Sequence, residues 1–466
     1  MKHRYISFAL IAMLGLSSCD KFLDTKSDGQ IVTLDEFIAN DEDAKLVLNG
    51  AYDVMANVFD GDIQNMAELI SSNADRPNSD DWRAVWSRET TFFNGTINGI
   101  YTDVYRIINR ANLVMEYIDR QTETAELKQM RAEAHFLRGM AHFAVLKVYA
   151  QPWGYTANNS HAGIVIRDTP SSEPKGRSTV AECYSFIQGD LLFAYNNLPE
   201  TNGIYATKHA AAATLAYTYY MQNNYERVVE YTTEIINSGL FSLAPEVDVF
   251  YALNDSQMVY NTPEGIFFAH SNADLSDARN DGFRNNYMPG TSPTAFSLST
   301  EFLQFMQLNA VDKRYQNLVQ NNANTGQVQS LRFGKSNQNN PFFSVPISRL
   351  TVMMLIRAEA YANLNSNLDV AIADINALRD RAFPDTPFHV ADGTNGQELI
   401  DIIQEEFRKE TFCEGYWIDV ERRNGAAGDA VLIRDAPWNC PGMAIQFPNS
   451  EGTGADFVFN PEGGCN

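Results

Sequence analysis

Cys19 carries the most plainly written chemistry in the chain: Leu16-Ser17-Ser18-Cys19 matches the site where bacterial lipoprotein precursors are cut and the freed cysteine is acylated. The residues before it have the order of a secretory signal, with basic Lys2 and Arg4, an apolar run from Ile6 to Leu16 and small residues at the end. That run is near eleven residues, whereas a helix needs about 20 to span a bilayer. Residues 1–18 are therefore expected to be removed, leaving a membrane tether through lipid on Cys19 alone. Of the other cysteines, Cys440 and Cys465 both sit in the Gly/Pro-rich tail, where a disulfide would pin a loose end, and this pair is favoured. Cys183 and Cys413 fall among helical residues and read as buried small hydrophobes.

Other reactive patterns are weaker. There is no Gly-x-Ser-x-Gly elbow and no His-Glu-x-x-His, and Gly326 and Gly334-Lys335 are spaced too widely for a Walker loop. Without Cys-x-x-Cys or a His pair joined by a carboxylate, no metal and no cofactor is expected. Asp274, Asp277 and Asp281-Gly282 lack the spacing and closing Glu of a calcium loop. His135 and His142, a heptad apart, suit packing. Glu410, Glu414, Asp419 and Arg422 could be read as acid/base machinery, but sequence neighbours supply no cleft, so a structural charge network is expected and no enzyme.

Charge narrows the partners. Loss of Lys2 and Arg4 leaves 33 basic residues against 58 acidic ones, a formal charge of −25 on the mature 448 residues. Such a surface repels nucleic acid and anionic headgroups.

The elements that position these residues are helices. Phe136, Leu137, Met140, Ala141, Ala144 and Val148 share one face of a helix over 131–149, closed by Pro152. Residues 208–221 and 225–238 form a hairpin turned by Asn223-Asn224 and ended at Gly239, and 350–364 with 368–382 repeat the plan. Each is close to a tetratricopeptide unit, and Arg131-Ala132-Glu133-Ala134 is echoed by Arg357-Ala358-Glu359-Ala360. The expected fold is all-α: tetratricopeptide-like hairpins near 100–150, 180–240 and 346–422 in one domain over 19–466. Long irregular insertions near 71–99, 150–178, 241–300 and 320–345, rich in Asn, Ser, Gly, Pro and aromatics, carry the ligand surface.

Four stretches resemble the SusD-like, or RagB/SusD, outer-membrane lipoproteins of Bacteroidetes: Cys19-Asp20-Lys21-Phe22-Leu23-Asp24; RAEAHFLRGMAHFAVLKVYAQPWG at 131–154; the hairpins at 205–240 and 346–382; and EEFRKETFCEGYWIDVERR at 405–423. The last departs from the family pattern at Phe407 and Thr411, and lacks the Arg expected between Glu414-Gly415 and Asp419. The resemblance implies a lipid-anchored, non-catalytic nutrient binder at the cell surface that forms the lid of a SusC-like TonB-dependent transporter. It implies an oligosaccharide or polysaccharide ligand. Two alternatives keep the fold: a RagB-type peptide binder, or a protein-binding helical scaffold.

Sugars are held by stacking on flat rings while polar side chains bond the hydroxyls. The stretch Asn73 to Asn94 fits best, with Asp75, Arg76, Trp82, Trp86, Arg88, Phe92, Phe93 and Asn94. Tyr287 is a second stacking candidate. Residues four apart on a helix also bury together, which is the structural alternative for Trp82 and Trp86.

Overall fold

The computed structural model describes residues 37–254, 259–288, 293–333, 342–454 and 456–465, so the signal segment, Cys19 and Gly334-Lys335 lie outside the described residues. The chain divides into two compact units, Met1–Ala44 and Lys45–Asn466. In the smaller, the Asn40 side chain accepts the amides of Glu42 and Asp43, at 2.9 and 3.1 Å. The larger carries the rest.

In chain order the described helices are α1 Asp41–Val58, α2 Asp62–Ile70, α3 Asp80–Ser87, α4 Gly95–Asp119, α5 Ala125–Tyr149, α6 Val180–Asn197, α7 Lys208–Met221, α8 Tyr225–Asn237 and α9 Asp281–Tyr287. They continue as α10 Thr300–Gln307, α11 Lys313–Leu318, α12 Leu350–Leu364, α13 Leu368–Ala382, α14 Gly396–Thr411 and α15 Trp417–Ala427. Short strands pair antiparallel in twos: β1 Leu253–Asn254 with β2 Tyr260–Asn261, β3 Gly265–Ala269 with β6 Val345–Arg349, β4 Val319–Asn322 with β5 Gln327–Ser330, and β7 Leu432–Ile433 with β8 Ala436–Pro437. No described helix is long and apolar enough to cross a membrane.

The fold is all-α with tetratricopeptide-like hairpins, and polar residues start the helices. Thr124, Thr179, Thr207 and Asn224 each cap a first turn by accepting a backbone N–H, and Thr179 forms a reciprocal box with Glu182. α5 packs between α4 and α6, α8 packs on both α7 and α12, and α12 also meets α13 and α14. Helices α5 and α6 approach so closely at Gly139 that a β-carbon there would lie 3.1 Å from Asp190 and Leu191 side-chain carbons. Gly239 follows α8 with φ +70°, where glycine is unstrained.

The internal echo has a physical basis. Glu133 and Glu359, each third in its Arg-Ala-Glu-Ala, are buried and each accepts a tyrosine hydroxyl, from Tyr52 at 2.9 Å and Tyr220 at 2.8 Å. Both hairpins are also bolted by a buried Arg–Asp pair. Arg138 of α5 binds Asp190 of α6 at 2.7 and 2.8 Å, and Arg357 of α12 binds Asp374 of α13 at the same distances.

The closing helices are joined by buried charges. Glu410 accepts from Arg314 at 2.9 Å and Arg381 at 2.5 Å, and Glu414 from Arg332 and Arg349, each at 2.9 Å. Burial alone would raise the Glu410 carboxyl, but Arg381, Arg314 and Arg349 hold it down at about 2. Asp419 meets Lys147 at 2.5 Å, and Arg422 donates to the Ala150 carbonyl at 3.0 Å. Glu410, Glu414, Asp419 and Arg422 are each buried with a hydrogen-bonded or charged partner, which is what a clamp between the last helices requires. Cys440 and Cys465 are disulfide-bonded, and Cys183 and Cys413 are free and buried.

Candidate ligand-binding face

Three insertions that are far apart in sequence meet. Leu298 makes antiparallel bridges to Ala74 on one side and Val328 on the other, and the Asp75 amide donates to the Ser297 carbonyl at 2.9 Å. The segment after α2 is thus held like an edge strand. Its root is fixed by the closing helices: Asn73 accepts from Arg408 at 2.8 Å, and Ser72 accepts from the Trp417 indole at 3.1 Å. Past that root the chain turns outward, and Asp75 and Arg76 are exposed.

Asp75 accepts the Arg76 amide at 2.7 Å, while the Arg76 guanidinium has no partner among the described residues. Asp80 instead binds Arg83, at 2.6 Å, and Arg83 also donates to the Asn78 carbonyl at 2.8 Å. This leaves the Arg76 guanidinium uncommitted on open surface.

Helix α3 sends its two tryptophans to different fates. Trp82 is 8% exposed and packs edge-on against Phe296 with centroids 5.4 Å apart. Phe296 in turn meets Tyr287, itself 2% exposed, at 5.5 Å. Trp82 and Tyr287 therefore belong to one core cluster closed by the insertion 294–298, and neither offers a ring to a ligand. Asn94 is corrected as well: it caps α4, accepting the Ile97 amide at 3.0 Å and donating to the Asp81 carbonyl at 2.9 Å, and is 6% exposed.

Trp86 stays half-exposed. Its indole donates to the Ala74 carbonyl at 3.1 Å, and the Arg434 guanidinium lies 4.5 Å from its ring centroid. Arg434 and Asp435 form the two-residue turn between β7 and β8, with φ of 46° and 64°, the backbone that matches hairpin twist. Arg434 also donates to the carbonyls of Leu69, Ile70 and Trp86, at 3.1, 3.2 and 2.7 Å. Burial, reinforced by neighbouring Arg88, lowers the Arg434 guanidinium to about 9.

The most open ring among the described residues is Phe93, at 74%. It leans on Phe92 at 4.8 Å, and Phe92 rests on Phe459 at 5.6 Å. Phe459 belongs to the tail bonded through Cys440 and Cys465, and the Asn449 amide of that tail donates to the Phe92 carbonyl at 3.3 Å. Phe93 adjoins the polar stretch through Asn94 and through Asp81, whose carboxylate takes the Thr96 amide and hydroxyl at 3.0 and 2.6 Å. Asp75, Arg76 and Phe93 are thus exposed and Trp86 half-exposed, on segments that α3, the start of α4 and the closing hairpin hold in place. Sequence reading missed Arg434 and Phe459, because Arg-Asp is not a pair that announces a hairpin turn and Phe459 gains meaning only from its contact.

Comparisons agree with this architecture. Residues 21–220 match the SusD-like family model described as starch-binding, associating with outer membrane, and residues 266–436 match the SusD family model. SusD-like protein P38 of Formosa agariphila is 26% identical over 91% of this chain and 92% of its own. SusD-like protein P2 of the same organism is 22% identical over 91% of each. Among solved structures, a SusD superfamily protein of Bacteroides thetaiotaomicron superposes with a TM-score of 0.76 at 20% identity, covering 90% of this chain and 99% of that one. A laminarin-binding SusD-like protein gives 0.68 at 18% identity, covering 91% and 99%. With tetratricopeptide-like hairpins throughout and both halves of the sequence matched by models of one kind, the chain belongs to the SusD-like family.

Proposed function

We propose that this chain is a cell-surface carbohydrate-binding protein, anchored in the outer membrane through lipid on Cys19, that hands a glycan to a SusC-like TonB-dependent transporter without catalysing a reaction. The observation that carries the reading is the Phe93 ring, 74% exposed in the same insertion, 71–99, that leaves Asp75 and Arg76 open to solvent. An apolar ring left in water, with an uncommitted guanidinium in the same insertion, suits a sugar, which needs one flat face and several hydrogen bonds. The starch-binding description of the matching family model and the laminarin-binding relative of like fold support a glucan-type ligand. Trp86 adds a second ring edge, while Trp82, Asn94 and Tyr287 support the face from beneath.

The test is affinity electrophoresis of the purified chain, with Cys19→Ser, through starch, laminarin and other polysaccharides, beside calorimetry with peptides. Retardation on a glucan that weakens in Arg76→Ala supports the reading. Heat with peptides and no retardation on any polysaccharide would replace it with a peptide binder.

A further inference from the structure

A separate hollow of about 110 Å³ lies between α2, α5, α7 and the junction of β6 with α12. Its walls are apolar, with Ile63 and Ala67, Met140 and Ala144, Ala213 and Met353 from four helices. Gln64, Lys147, Ser348 and Tyr416 form a half-exposed rim. The Gln64 amide nitrogen donates to the Phe59 carbonyl at 3.0 Å, which fixes the orientation of the amide and leaves its oxygen as the free end. That oxygen is buried and unpartnered, and so is the Ser348 hydroxyl on the same lining. A buried acceptor and a buried hydroxyl in an apolar hollow are costly unless something hydrogen-bonds to them.

The remaining polar groups are committed. The Lys147 ammonium pairs with Asp419 at 2.5 Å and sits over the rings of Tyr217 and Tyr416, at 4.9 and 5.6 Å. Glu414 is held by Arg332 and Arg349, and the Tyr416 hydroxyl donates to the Ile347 carbonyl at 3.2 Å. A cation entering would face Lys147. An anion would have to displace Asp419 and lie against apolar walls. A free sugar would leave hydroxyls unpaired against Met140 and Met353.

We propose that this hollow binds a compact, uncharged molecule of about one ring, with an apolar body and a hydroxyl-type head that donates to the Gln64 oxygen and accepts from the Ser348 hydroxyl. The size is set by analogy, since an apolar cavity of about 150 Å³ takes up benzene. Hydrogen bonding to the Gln64 oxygen and the Ser348 hydroxyl is what separates a phenol-like ligand from a plain hydrocarbon.

The probes are phenol, benzene and glucose added to the purified chain, read by saturation-transfer NMR and thermal shift. Phenol is expected to bind, benzene about 25-fold more weakly for want of two hydrogen bonds, and glucose not at this site. Ala213→Leu, which fills the hollow, should abolish the phenol signal and leave polysaccharide retention unchanged. If Ala213→Leu does not fold, Ser348→Ala at the rim decides, weakening phenol about fivefold and leaving benzene unaffected. No phenol contact in the unaltered chain, a phenol signal that survives Ala213→Leu, or equal effects of Ser348→Ala on phenol and benzene would each overturn the proposal.

Discussion

Replacing Phe93 by alanine should separate ligand binding from folding, and Trp82→Ala should do the reverse. About a quarter of the Phe93 surface is covered, Phe93 being 74% exposed. For a ring burying about 200 Å² when fully covered, that is about 50 Å², or about 1.3 kcal/mol at 25 cal/mol/Å², an upper bound because the denatured chain also covers part of it. Loss of the edge contact with Phe92 at 4.8 Å adds about 0.5 kcal/mol. Phe93→Ala should therefore move stability by less than about 2 kcal/mol. Loss of a central aromatic contact should weaken glycan binding by about 2 kcal/mol, near thirtyfold in Kd. Trp82, 8% exposed and packed on Phe296, should cost about 3–5 kcal/mol of stability on truncation. Chemical denaturation and calorimetry on the same preparations read both quantities. If Phe93→Ala leaves Kd unchanged on the retained glycan, or Trp82→Ala is as stable as the parent, the assignment of open and buried rings is wrong.

Three further outcomes follow from particular contacts. Arg434→Ala removes three donations to carbonyls and the stacking on Trp86; it should cost about 2–3 kcal/mol, redden Trp86 fluorescence and weaken binding, and Arg434→Lys should not rescue it because the planar fork is lost. Asp60 is pushed up to about 8 by burial and by neighbouring Asp62, so the stability tied to its neutral form is present at low pH and lost as pH rises through 8. His142, held at about 4 by burial, works the other way but only below its unfolded value near 6.5. Between about pH 6.5 and 8 Tm should fall, with about 2 kcal/mol of that loss absent in Asp60→Asn, and a pH-independent Tm in that window would refute the assignment. Reducing Cys440–Cys465, a closure of 25 residues, should cost about 3 kcal/mol in the chain-entropy account and loosen Phe459 under Phe92, lowering glycan retention as well as Tm.

What could be read in advance and what could not divides along the distance over which the controlling contacts act. The hairpin α7–α8 was legible because its apolar spacing, its Asn turn and Gly239 are all within 32 residues, and each is sufficient by local physics to start, turn or stop a helix. The charges of 410–423 were legible as a clamp because they are too many for the solvent-free space between helices unless paired. The face proposed to bind a ligand can be read from sequence as a region and not as residues. Trp82 and Trp86 present the same spacing and the same polar company, and the choice between core and surface is made by Phe296 and Arg434, over 200 and over 300 residues away. Local pattern carries no term for such a cover, since a loop closes over one ring or the other at nearly the same entropic cost. Asn94 is different: an Asn immediately before Gly95-Thr96-Ile97 is a helix-start signal, and giving it to capping instead of to a ligand required nothing beyond the sequence. Aromatic-rich insertions of this kind therefore mark where a ligand is proposed to meet the fold, and the candidate ring is whichever one the distant insertions leave uncovered, here Phe93.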